Sequence, residues 1–130
     1  MKTIMISTYK KYVEMKQDGT KEYEIRPFMI QTPFRVVEYE PKKDGGSGKA
    51  RQEYTVMCGK PITYPIDKVS FEIQNKSGLT RKEMLDYSRN ETRKLYAWHI
   101  SDLKVYYEPK ELSSYGLTKA PQKFCYVRKV

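Results

Sequence analysis

The sequence is short of every residue set that signals metal or cross-link chemistry. Its two cysteines, Cys58 and Cys125, lie far apart with no Cys-x-x-Cys pair, and His99 is the only histidine. Zinc-type ligand spacing is therefore absent. One histidine without pairing information also supports no Ser/His/Asp or Cys/His arrangement. No cofactor and no metal site is expected. The cysteines read as two free, buried thiols, with a disulfide as the lesser alternative.

Long apolar runs are missing as well. Met1 to Ser7 is too short for a secretory signal, and nothing has the length of a transmembrane helix. The expected compartment is the cytoplasm, with no membrane partner. There is no internal repeat, no composition shift that marks a domain boundary, and no low-complexity stretch beyond Asp44-Gly45-Gly46-Ser47-Gly48. The whole chain, 1–130, is expected to form a single domain. A chain of this length buries roughly two-thirds of the surface it exposes when unfolded, enough for a core without staples.

Aromatic residues and positive charge are abundant. Tyrosine occupies 12 positions, aromatics make up 13% and charged residues 32%, with 25 Lys and Arg against 16 Asp and Glu for a net charge of +9. Disordered chains are poor in aromatics, so this is a folded domain with a charged skin. The excess falls after residue 75, where 12 basic residues face 6 acidic ones. Such a balance favours polyanionic partners, RNA or DNA first, although it also serves plain solubility.

Along the chain, Thr3 to Ser7 reads as a first strand, with Ser7 or Thr8 capping a helix that places Tyr9, Tyr12 and Val13 on one face. Further strands are expected over 34–39, 50–57, 68–73, 95–107 (bent near Ser101-Asp102) and 124–127. Thr80-Arg81-Lys82-Glu83 has the capping-box pattern and starts a second helix reaching about Ser88. One helical turn is expected between Pro109 and Ser113. Gly46-Ser47-Gly48-Lys49 superficially matches a phosphate loop. Lys43 stands where its first glycine belongs, Ala50 where the magnesium hydroxyl belongs, and a strand follows instead of a helix. It reads as a hairpin tip. The result is an α+β domain with a curled sheet or small barrel.

The stretch from Gly19 to Pro27 organises the rest. Asp18-Gly19 is a turn signal, Pro27 ends the ladder, and the residues between alternate. Tyr23 and Ile25 share one face, while Glu22, Glu24 and Arg26 share the other, with Lys21 beside them at the turn. That polar face is either a solvated ion pair or the floor of a binding cleft. In Tyr96-Ala97-Trp98-His99-Ile100, His99 falls with Ala97 opposite Trp98, and reads as a structural histidine or a hydrogen-bonding group at a cleft. Cations interleave with rings around Arg89, Arg93, Lys94, Tyr96 and Trp98, and again around Lys123, Phe124, Tyr126 and Arg128. Nucleic-acid surfaces have this texture, and so do ordinary alternating strands.

The spacing Gly19-x-Lys21-x-x-Glu24-x-Arg26, directly after an amphipathic helix, resembles the ASCH domain family of the PUA-like superfamily. Val36-Val37-Glu38-Tyr39-Glu40-Pro41, Gly48-Lys49 with Glu53-Tyr54, Tyr96 to Ile100 followed by Ser101-Asp102 and Pro109, and Ala120-Pro121-Gln122-Lys123-Phe124 extend the resemblance over most of the chain. It implies a barrel of five to six mostly antiparallel strands flanked by two or so helices, with a cleft beside Lys21 to Arg26. It further implies RNA or a nucleoside or nucleotide as ligand, with Lys21, Glu24, Arg26, Tyr39, Glu53, Trp98, His99, Gln122 and Lys123 as candidate binding residues. Trp98 or Tyr39 would offer a stacking face. Some relatives are amidohydrolases of N4-acylated cytidine that use a lysine, a hydroxyl nucleophile and a glutamate. Lys21 stands at the lysine, Glu53 is the candidate glutamate, and Glu24 occupies the hydroxyl position, so a catalytic set would be Lys21, Glu24 and Glu53. A carboxylate there turns the reading toward binding rather than catalysis. A protein-interaction module of a phage or mobile element is the further alternative, and the oligomeric state is left open.

Overall fold

The structure is a computed structural model and describes residues 1–66 and 69–128. Six strands form one sheet in the order β2-β5-β4-β3-β1-β6. They are β1 (Lys2–Ser7), β2 (Tyr23–Arg26), β3 (Phe34–Glu40), β4 (Lys49–Pro61), β5 (Tyr96–Lys110) and β6 (Cys125–Tyr126). Only β1 and β3 run parallel; the other neighbours are antiparallel. Three helices, α1 (Lys10–Gln17), α2 (Phe71–Lys76) and α3 (Arg81–Tyr87), accompany it. This is the expected α+β architecture, a curled half-barrel.

The central strands are covered on both faces, which explains why β1 reads as an unbroken apolar run. Ile4 and Ile6 join Phe34, Val36, Tyr54, Val56 and Trp98 in one cluster, while Met5 joins Val37, Ala50 and Tyr106 on the other side. A third cluster, with Ile25, Ile62, Met84, Leu95 and Ala97, seats α3 against the end of β2 and β5. Burying these side chains supplies the main driving force, about 25 cal/mol per Å² of apolar surface.

The long hairpin strands bend where they must. Between β4 and β5 the register shifts near Thr55 and Ser101, and Asp102 sits at φ +52°, placing an extra residue on β5. The Gly46-Ser47-Gly48 tip is a turn between β3 and β4, as expected. A Cβ on Gly46 would lie 1.6 Å from the Pro41 carbonyl oxygen, so close backbone approach accounts for that glycine. Glu40 accepts from the Ser47 amide at 2.6 Å and ties the turn down.

Several expectations are corrected. Neither Ser7 nor Thr8 caps α1: Tyr9 is the cap residue and no side chain fills the role, because the Thr8 hydroxyl is engaged with Glu38. Phe71 to Ile73 is not strand but the start of α2, capped by Ser70 accepting from the Ile73 amide. Lys68 of that expected strand lies outside the described residues. β5 continues through Pro109 to Lys110, and the short turn follows at Leu112–Tyr115. Cys58 is exposed and Cys125 half-buried, both as free thiols. The capping box of α3 is present in both halves, with Thr80 accepting from the Glu83 amide and Glu83 accepting from the Thr80 amide. No helix among the described residues is long and apolar enough to cross a membrane.

Candidate functional site

Gly19, at φ +85°, takes the chain out of α1 into β2. The Lys21 amide then donates to Met15 O, and the Glu22 amide to Lys76 O at 2.7 Å, so the turn is held between α1 and α2. β2 pairs with β5 in the register Tyr23–His99, Glu24–Trp98, Ile25–Ala97 and Arg26–Tyr96. The alternation works out physically: Ile25 enters the core, and Lys21, Glu24 and Arg26 gather on the polar face with α1 above them.

Glu24 is the hub. Arg26 Nε donates to its Oε2 at 2.6 Å, Lys16 Nζ lies 2.7 Å from its Oε1, and Lys21 Nζ is 3.9 Å away. Burial alone would raise its pKa, but the charges of Lys16, Arg26 and Lys21 outweigh that and hold the carboxyl far below the usual range. Behind it, Glu38 accepts from Thr8 Oγ1 at 2.9 Å, Gln52 Nε2 at 2.8 Å and Lys16. Three cations thus meet two carboxylates, leaving one positive charge in excess. Burial lowers the Lys21 ammonium to about 8, with Glu24 opposing the shift and Lys16 adding to it. Its ammonium donates to the Ser77 carbonyl at the end of α2. Arg26 Nη2 donates to Ser7 O at 3.0 Å and Thr8 Oγ1 at 3.1 Å, while Nη1 has no acceptor among the described residues.

This face forms the floor of a cavity of about 620 Å³. Lys21, Glu24 and Arg26 lie on the floor, Tyr9 and Tyr12 come from the start of α1, and Glu83, Asp86 and Tyr87 come from α3. Gln122 lies on the rim, exposed. Tyr12 donates to Glu83 at 3.2 Å, joining the two helical walls.

Of the nine residues singled out from sequence, the cavity brings together Lys21, Glu24, Arg26 and Gln122. Lys123 lines an adjoining cavity. The other four lie elsewhere. Trp98 is fully enclosed, donating Nε1 to Phe28 O at 3.2 Å, and can offer no stacking face. Glu53 is paired with Arg35 at 3.0 Å and accepts from Tyr106 at 3.1 Å, away from Lys21. Tyr39 packs beside the Met5 and Val37 cluster. His99 meets Tyr23 edge-on. The amidohydrolase set of Lys21, Glu24 and Glu53 is therefore not assembled in one cavity. Among the described residues no three His, Cys, Asp or Glu side chains are placed to hold a metal ion.

Sequence reasoning missed Lys16, Glu38, Thr8 and Tyr87. Lys16 follows Tyr12 by four and Val13 by three, so helical spacing sets it on the buried face. Glu38 shares its strand face with Val36. Those two spacings were the available signals.

No protein-family model and no curated protein sequence matches the chain. Solved structures do. The ASCH protein of Zymomonas mobilis superposes with a TM-score of 0.79 at 16% identity, over 98% of this chain and 89% of that one. A tyrosine-to-phenylalanine mutant of the same protein gives 0.77 at 17% identity, over 99% and 92%. The chain therefore has the fold of an ASCH domain, a curled six-stranded sheet accompanied by three helices.

Proposed function

We propose that this protein binds a nucleoside or nucleotide, free or within RNA, in the cavity over β2. The observation that carries this reading is Arg26. Glu24, Ser7 and Thr8 fix its guanidinium in place, leaving Nη1 as a preoriented donor on a residue that lines the cavity. A cavity of about 620 Å³ lies within the roughly 300–1,000 Å³ usual for small ligands. Its lining offers donors at Arg26 and Lys21 and an exposed acceptor at Asp86, matching the mixed pattern of a base edge or ribose hydroxyls. Tyr9, Tyr12 and Tyr87 supply aromatic wall, which suits a planar ring.

Calorimetry with nucleosides and nucleotides, and filter binding with short single-stranded RNA at two salt concentrations, test the reading. Arg26→Ala should abolish binding, and Arg26→Lys, which keeps the charge but loses the fork, should weaken it by tenfold or more, about 1.4 kcal/mol. Absence of binding at low salt, or equal binding by a folded Arg26→Lys protein, would rule the site out.

A second reading, hydrolysis of an N4-acylated cytidine, draws on Lys21 alone. An amine held at about 8 is a competent base near neutral pH. Incubation with N4-acetylcytidine decides it: release of cytidine by the native protein but not by Lys21→Met would establish the enzyme.

A further inference from the structure

A second cavity of about 390 Å³ adjoins the first, and the two share Arg26, Tyr87 and Gln122 as lining residues. Their electrostatics differ. The first carries two cations, Lys21 and Arg26, against three carboxylates, Glu24, Glu83 and Asp86. The second carries Arg26, Arg93 and Lys123 and no carboxylate.

Two of these three cations, Arg93 and Lys123, are also held without acidic partners. Arg93 donates Nε and Nη2 to the Tyr87 carbonyl, the latter at 2.7 Å, and its guanidinium carbon lies 4.9 Å from the centre of the Tyr87 ring. Lys123 Nζ lies 5.2 Å from the centre of the Phe28 ring. Neither forms an ion pair with a carboxylate among the described residues. Arg26, which the two cavities share, is paired with Glu24 through Nε and keeps only Nη1 uncommitted.

We propose that this second cavity is a phosphate subsite, so that the ligand is a phosphorylated nucleoside whose sugar–phosphate lies across Tyr87 toward Arg93 and Lys123. The inference rests on the nucleoside reading of the first cavity. A phosphate would be repelled by Glu83 and Asp86 of the first cavity, which no cation pairs among the described residues, and drawn to Arg93 and Lys123 of the second, which no carboxylate pairs. Guanidinium groups suit it because their planar N–H forks match phosphate oxygens. A ligand uncharged at one end and anionic at the other satisfies both cavities together. The phosphate can belong to a free mononucleotide or to the backbone of an RNA strand.

The test compares each of the four nucleosides with its 5′- and 3′-monophosphates and with short single-stranded RNA, by calorimetry at low salt. One monophosphate series should bind at least about tenfold tighter than its nucleoside, the scale of a charge-assisted hydrogen bond. In Lys123→Glu, an exposed position where misfolding is not expected, that ratio should fall toward one. Arg93→Gln should reduce it in the same direction. RNA binding tighter than the monophosphate would assign the site to a backbone phosphate, and equal affinity would assign it to a mononucleotide. A ratio near one in the native protein, or an unchanged ratio in both variants, overturns the subsite while leaving the nucleoside site standing. Failure of nucleosides and nucleotides alike to bind removes both.

Discussion

Lys16 and Glu38 form an ion pair in which neither side chain has any exposed surface. The same ammonium lies 2.7 Å from Glu24, so a single helical lysine neutralises carboxylates from β2 and β3 at once. Removing it leaves two buried carboxylates short of a counter-charge. Lys16→Met should therefore destabilise the fold by about 3–5 kcal/mol, the cost of orphaning a buried charge rather than the net worth of the pair. Lys10→Ala breaks the exposed Lys10–Glu14 pair on the same helix and should cost about 1 kcal/mol or less. Urea denaturation of the two variants checks the contrast. Adding Glu38→Gln to Lys16→Met should recover part of the loss, since one orphaned charge then disappears.

Lys21 makes stability depend on pH in a defined window. Its folded-state value of about 8 lies below the ordinary 10.5, because burial disfavours the ammonium. Between those values the unfolded chain binds more protons than the folded one, so stability rises with pH. Below about pH 8 the penalty is fully present. Measured against Lys21→Met, the native protein should gain on the order of 3 kcal/mol between pH 8 and 10.5. A flat difference across that range would place Lys21 in a more hydrated setting.

The acid side runs the other way. The Glu24 carboxyl is depressed in the fold, so its contribution is complete above the ordinary value of 4.5 and is lost as pH falls. Glu24→Gln should consequently be less stable than the native protein at pH 7, and the gap should narrow on acidification. Parallel urea titrations at pH 7 and pH 3 read the gap. A gap that widens toward pH 3 would contradict the depressed carboxyl.

How much of this was legible beforehand varies by residue. Gly19, the alternation of Tyr23 to Arg26 and the capping box at Thr80 are local features, set by backbone geometry over a few residues, and they stand where the pattern placed them. Phe71-Glu72-Ile73 alternates like a strand, yet Ser70 can cap a helix there, and the local pattern could not choose between the two. Trp98 and Glu53 failed for a different reason. Alternation tells which face of a strand a side chain occupies but not what covers that face. Here Phe28 and Phe34 cover Trp98, and Arg35 and Tyr106 engage Glu53. Lys16 and Glu38 were concealed because a charged residue reads as solvated until its partner, 22 positions away, is known.

Trp98 gives an optical check on that packing. It is the only tryptophan, has no exposed surface, and lies edge-on to Phe28 and Phe34 with ring centroids 5.2 Å away. Its emission should be blue-shifted and resistant to quenching by acrylamide until the protein unfolds. Saturating nucleotide should leave quenching unchanged, because the ring does not line the cavity. Strong protection on ligand addition would instead mean that Trp98 reaches the site.

The capping box of α3 bears on the site as well as on the helix. Glu83 bonds the Thr80 amide, accepts from Tyr12 at 3.2 Å and lines the cavity, so the cap fixes the wall formed by α3. Thr80→Ala removes the hydroxyl that accepts from the Glu83 amide and should cost about 1 kcal/mol, while Thr80→Ser should be nearly neutral. If the cap also orders the wall, Thr80→Ala should weaken nucleoside binding and Thr80→Ser should restore it. Thermal unfolding and calorimetry on the same preparations separate the two effects. Lost stability with unchanged affinity would show that Tyr12 and the core under Met84 hold the wall in place without the cap.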